Sequence, residues 1–88
     1  MNDQEQRIRR AREVLSEAGW LFDDFVNAEM RRVLMSRAED REGREQAYCR
    51  ARVAMEMKAG LEALIESHEA DERLRERREK QQENRHGR

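Results

Sequence analysis

The chain has 88 residues, 36% hydrophobic and 44% charged, far from the roughly 45–50% apolar and about 25% charged of ordinary globular chains, so it can build one thin domain and no sizeable core. Nineteen Lys and Arg against twenty Asp and Glu leave a net charge of −1, which excludes the global basic field of a protein that holds nucleic acid by bulk charge. A single Cys49 excludes an intrachain disulfide and fits a reducing compartment, and no signal peptide or apolar run of about 18 residues is present; the expectation is a water-soluble cytosolic protein with no membrane contact.

Proline is absent and Gly19, Gly43, Gly60 and Gly87 are the only strong punctuation, so the chain reads as all-α. The first expected helix covers 3–18, with Asp3 as its N-cap and Ile8, Ala11, Leu15 and Ala18 on one narrow stripe. Gly19 suits the left-handed residue that commonly stops a helix, and equally a tolerated glycine inside a longer one. A second helix over 20–37 carries Trp20, Phe22, Phe25, Val26, Met30, Val33 and Leu34 on a broad apolar face, with acids in its first turn and arginines toward its end, as the macrodipole favours. Trp20, Leu21, Phe22, Phe25 and Val26 crowd more apolar surface into seven positions than one hairpin stripe covers. Self-association is the expected remedy, and a monomeric three-helix bundle the alternative.

The segment SRAEDREG is the turn before a third helix over 40–68. Asp40 is its N-cap, and Glu42 and Glu45 place negative charge beside unpaired amides. Gly43 costs about 1 kcal/mol of helix propensity relative to Ala, which suggests close approach of the second helix there. Arg44 and Glu45 are expected to fix the turn, with Arg44 in reach of an acidic group on the facing helix. Ala47, Ala51 and Ala54 allow close helix contact, while Leu61, Leu64 and Ile65 fill a wider gap farther along. The expected fold is an antiparallel helical hairpin over 1–68 with a short N-terminal helix, followed by a charged tail over 69–88, helical or frayed, in an oligomer held by Trp20, Phe22, Phe25, Val26, Met30, Leu34, Leu61, Leu64 and Ile65.

Chemistry-bearing patterns are sparse. Glu42 with Glu45 and Glu69 with Glu72 have the E-x-x-E spacing of helical metal sites, but twenty acids in 88 residues make such pairs by chance, and the solvated-face reading prevails. Cys49 has no nearby histidine in sequence to act as its base. No catalytic, metal or cofactor residue is therefore assigned. For nucleic acid, RIRRAR supplies Arg7, Arg9, Arg10 and Arg12, and within RLRERREK the cluster Arg75, Arg77 and Arg78 is the best anchor; acids dilute both, and neither has interleaved aromatics.

Asp40, Gly43, Arg44, Glu45 and Tyr48 form a D-x-x-G-R-E-x-x-aromatic turn, and Lys58-Ala59-Gly60-Leu61-Glu62 with Leu64 and Ile65 follows on the same helix. This segment, Leu21 to Ser67, resembles small helical proteins encoded by tailed bacteriophages and prophages. Members usually end soon after the second helix, so the charged tail is a departure. The resemblance implies a phage-encoded accessory protein in the host cytoplasm or on the virion, tied to virion assembly or DNA packaging. Small terminase subunits share the scheme of a helical oligomerisation hairpin with charged terminal segments. The expected function is that of a non-enzymatic, self-associating structural or adaptor protein whose partners are its own copies and another phage or host protein. A nucleic-acid-associated regulatory factor, or an inhibitor binding a host protein through Trp20 to Val26, are the rival readings, with an enzyme last.

Overall fold

A computed structural model describes residues 2–86; Met1, Gly87 and Arg88, the last being the end of the expected tail, lie outside it. The described residues form two α-helices, α1 (Asp3–Met35) and α2 (Arg41–His86), packed side by side in a body of 75 × 21 × 17 Å.

One 33-residue helix replaces the two expected over 3–18 and 20–37, so there is no separate short N-terminal helix. Gly19 is helical, with no positive φ, and buried in the seam. A glycine stops a helix when the chain turns left-handed there. Here Ile8, Leu15, Phe22 and Glu29 recur every seven residues, so the inner face runs through Gly19 in phase, and packing against α2 outweighs its propensity cost of about 1 kcal/mol. Asn2, and not Asp3, caps α1: its side-chain oxygen accepts from the Glu5 amide at 2.7 Å, which leaves Asp3 as an acid in the first turn.

Helix α1 ends where Ser36 turns extended, its ψ reaching 151°, and its hydroxyl donates to the Val33 carbonyl at 2.7 Å. Four residues later Asp40 caps α2, accepting from the Gly43 amide at 3.0 Å. The chain thus reverses in a short turn. Three ion pairs set the antiparallel register: Arg12 with Glu69 at 3.2 Å, Asp23 with Lys58 at 2.9 Å and Glu29 with Arg50 at 3.0 Å. In that register Leu15 stands level with Ile65, Phe22 with Lys58 and Val26 with Ala54. Along α2 the seam runs Arg44, Ala47, Ala51, Ala54, Lys58, Leu61, Ile65 and His68, alternating steps of three and four, the spacing of a two-stranded coil.

Buried apolar residues are Ile8, Ala11, Ala47, Ala51 and Ala54. Only Ile8 among them is large. Helix α2 continues past His68 without a break, and Glu69 is half-buried against Arg12, so the expected domain edge at residue 68 falls inside the packed region. Ile8 and Ala11 belong to the same seam, because a continuous α1 reaches that far back along α2. From Asp71 to Asn84 every residue is exposed.

Candidate interaction surfaces

The turn is held by Arg44. Its guanidinium donates to the Arg37 carbonyl at 2.6 Å, the Ala38 carbonyl at 3.2 Å and the Ser36 hydroxyl at 3.4 Å. Both carbonyls lie in the connecting turn, outside the ladder of either helix, and a planar fork of N–H groups can serve several acceptors at once. These oxygens, not an acidic group on the facing helix, take its charge. Glu45 instead pairs with Arg41 at 3.1 Å on the exposed side of α2. Gly43 also differs from expectation: a methyl group there would fall on the capping Asp40 side chain, 2.7 Å from its Cγ, and the three nearest atoms all belong to Asp40. Its lack of a side chain accommodates the cap, not α1.

Among the described residues Glu29 is the one buried charged residue, 2% exposed, at a seam position between Val26 and Val33. Arg50 donates to one of its oxygens at 3.0 Å and Arg32 to the other at 3.1 Å. The Arg50 hydrogen bond holds its carboxyl below the usual range; desolvation opposes this, and the charges of Arg32 and Arg50 add to the lowering. Because the cover is only one helix deep, both arginines keep solvent contact while they neutralise it. Sequence reading passed over Glu29 among twenty acids; its seven-residue phase with Ile8, Leu15 and Phe22 was the available signal. Lys58 has the opposite sign in the same seam, its pKa raised by the hydrogen bond to Asp23, opposed by desolvation and reinforced by the charges of Asp23 and Glu62.

The expected contact residues divide between seam and surface. Phe22, Val26, Leu61 and Ile65 are half-buried between the helices, whereas Trp20, Phe25, Met30, Leu34 and Leu64 are exposed. Trp20 is 59% exposed, because about 200° of helical rotation separates it from Phe22; its indole N–H donates to the Glu17 carbonyl at 2.8 Å. Two apolar faces result. On one, Leu21 and Phe25 from α1 and Val53 and Met57 from α2 wall a groove of about 860 Å³, floored by Ala18, Phe22 and Ala54. On the other, Met30, Tyr48 and Met55 line a smaller one of about 420 Å³. Val53 and Met57 join Leu21 and Phe25, already part of the crowded patch in the sequence, only when the two helices are placed in register.

The arginines expected to contact nucleic acid are exposed, and the antiparallel register brings both groups to one end. Arg7, Arg9 and Arg10 lie near the start of α1, while Arg75, Arg77 and Arg78 lie just beyond the α2 residues level with them. Acids share that end: Glu5, Glu13 and Glu72 line a pocket there with Ile8, Arg9, Arg12 and His68, and His68 meets Glu72 at 3.2 Å. Among the described residues no three His, Cys, Asp or Glu side chains gather as a metal-binding group. Cys49 is exposed, and no described helix is long and apolar enough to cross a membrane. Comparison with protein-family models, curated proteins and solved structures finds no match.

Proposed function

We propose that this chain is a non-enzymatic structural or adaptor protein that works by self-association of its helical hairpin and by contact with a further protein, in the bacteriophage setting implied by the residues from Asp40 to Tyr48. The observation carrying this reading is the exposed apolar surface. Leu21, Phe25, Val53 and Met57 stand about half exposed on one face, while the seam itself buries one large side chain and a row of alanines. A two-helix layer with so little interior gains most of its stability by meeting another layer. Virion assembly or DNA packaging is the process proposed, with the oligomeric hairpin as a connector between larger components. Sedimentation equilibrium at micromolar concentration tests the core of the reading. A mass above 10.6 kDa that rises with concentration supports it, and a monomer mass throughout overturns it.

A second reading, nucleic-acid association, draws support from the gathering of Arg7, Arg9 and Arg10 with Arg75, Arg77 and Arg78 at the open end. Phosphate contacts release counterions, so binding of this kind weakens steeply with salt. Retardation of duplex DNA at low salt, abolished by charge reversal of Arg75, Arg77 and Arg78, would support it. No retardation at low salt would remove it.

A further inference from the structure

We infer that the groove walled by Leu21, Phe25, Val53 and Met57 is the seat of a second copy of this chain, which stacks hairpin on hairpin as a four-helix dimer and leaves the Tyr48 and Met55 face outward. The inference rests on the self-association proposed above and assigns it to one face. Both helices contribute walls, and the floor is the seam itself, formed by Ala18, Phe22 and Ala54. A single side chain or loop cannot cover it; a second helical layer can, with its ridges entering the groove between the helices.

Three observations favour an identical partner. Asp24 and Arg50 both line the groove, and Arg50, though it donates to Glu29, keeps its side chain partly in solvent, so the Asp24 of one copy has a base to meet on the other. The dimensions also fit. Helix α1 has 33 residues and is about 50 Å long; over the 21 Å width of the body the paired region offers roughly 1,000 Å² in projection, enough for the ~800 Å² per partner of a standard stable interface. A copy has the same length and the same heptad spacing, so contact extends along the whole layer.

The opposite face is less suited. Asp23, one heptad before Met30, joins Lys58 at 2.9 Å across the helices, and Arg52 joins Glu56 at 3.2 Å among the residues lining that groove. Covering these four charges would remove water that their mutual attraction only partly replaces, whereas the first groove holds two, Asp24 and Arg50, and the partner of Arg50, Glu29, is already buried.

Native Cys49 provides the probe, since it is exposed and lines the first groove. Alkylation of the full-length chain by a maleimide is followed across the concentration range in which sedimentation shows dimer. The labelling rate should fall in proportion to the remaining monomer. Phe25→Glu and Met57→Glu should each give monomers that stay helical by circular dichroism and label fast at every concentration, while Met55→Glu should dimerise as the parent does. If the charge variants unfold, protection of Cys49 in the unmodified chain decides the matter alone. A dimer with Cys49 fully reactive, or one dissolved by Met55→Glu and not by Phe25→Glu, overturns the assigned face and leaves self-association standing. A chain monomeric at all concentrations overturns both.

Discussion

The half of the hairpin near the turn and the half near its open end are joined by different means. Near the turn, Ala47, Ala51 and Ala54 are buried opposite Val26, Glu29 and Val33, so the backbones can approach closely but little side-chain volume leaves water. Polar groups supply the definition there: the Asp40 cap, the Arg44 fork and Glu29 held between two arginines. Toward the open end, Ile8, Leu15 and Phe22 meet the stretch of α2 from Lys58 to Glu72, and burial of larger side chains does more of the work. The contrast suggests that the turn half fixes the reversal through polar groups while the open half supplies apolar burial, with ion pairs holding the register along both. The Phe25 and Met57 groove lies where the halves meet, and a second layer there would reinforce both.

Truncation offers the largest break. Ending the chain after Ser67 removes Glu69, the partner of Arg12, together with the turn of α2 beside Ile8, which is 2% exposed. Exposing that side chain costs about 1.5–3 kcal/mol, so the thermal midpoint should drop clearly. Ending after Lys80 should leave it unchanged, since the residues removed bury nothing in the described part of α2. Equal melting of the two truncations would show that the open half does not depend on residues 69–72.

Overpacking probes the other half. Ala51→Leu should cost about 1–3 kcal/mol by forcing the close helices apart, whereas Leu15→Met in the open half should cost less than about 1.5 kcal/mol because it conserves volume. Thermal melts followed by circular dichroism compare them directly. A higher midpoint for Ala51→Leu than for Leu15→Met would remove the distinction between the halves. Within the turn, Arg44→Ala should cost about 1–2 kcal/mol, because the Arg37 and Ala38 carbonyls lose a charged donor. Arg44→Lys should restore only part, since an ammonium on a flexible stem lacks the fork. Full restoration by lysine would reduce Arg44 to a point charge.

Glu29 gives the turn half a pH signature. Its carboxyl is held below the usual range when folded, so its contribution is present above the unfolded value of about 4.3 and is lost as pH falls through the folded pKa. Lys58 is raised; its contribution is full below about pH 10.4 and is lost as pH rises through the folded pKa. Urea midpoints for the parent and Glu29→Gln should therefore converge below about pH 4.3 and differ by a constant amount near neutrality. A difference unchanged down to pH 2 would show that Glu29 does not carry the acid sensitivity.

Helical class was legible because proline is absent and the apolar stripe at Ile8, Ala11 and Leu15 has helical spacing. The turn was legible because Asp40 stands three residues before Gly43 in a charged, apolar-poor segment. Continuity across Gly19 was not, since a glycine inside a helix and one ending it look alike until the partner helix shows whether the inner face stays in phase. Trp20 misled for a related reason: seven crowded positions wrap almost two turns, so apolar density there cannot distinguish inward from outward. Glu29 was hidden by composition, and its burial required Arg50, which is 21 residues away in sequence.

The smallest test sets one glycine from each half against the other. A methyl group at Gly19 meets nothing within 4 Å, and the residue is helical, so Gly19→Ala should stabilise by close to the full propensity difference of about 1 kcal/mol. At Gly43 the same gain is opposed, because the methyl group falls on the Asp40 carboxylate that accepts from the Gly43 amide. The carboxylate is the end of a short side chain and can rotate away, so the opposing cost is part of a cap's worth, about 0.5–2 kcal/mol in total. Gly43→Ala alone should accordingly change stability by less than Gly19→Ala does. In an Asp40→Ala background, where no cap remains to disturb, Gly43→Ala should recover its full gain, and the non-additivity of the pair measures the conflict. Additive effects at 40 and 43 would show that the cap tolerates the methyl group without moving, and would leave the glycine at this turn without a structural reason.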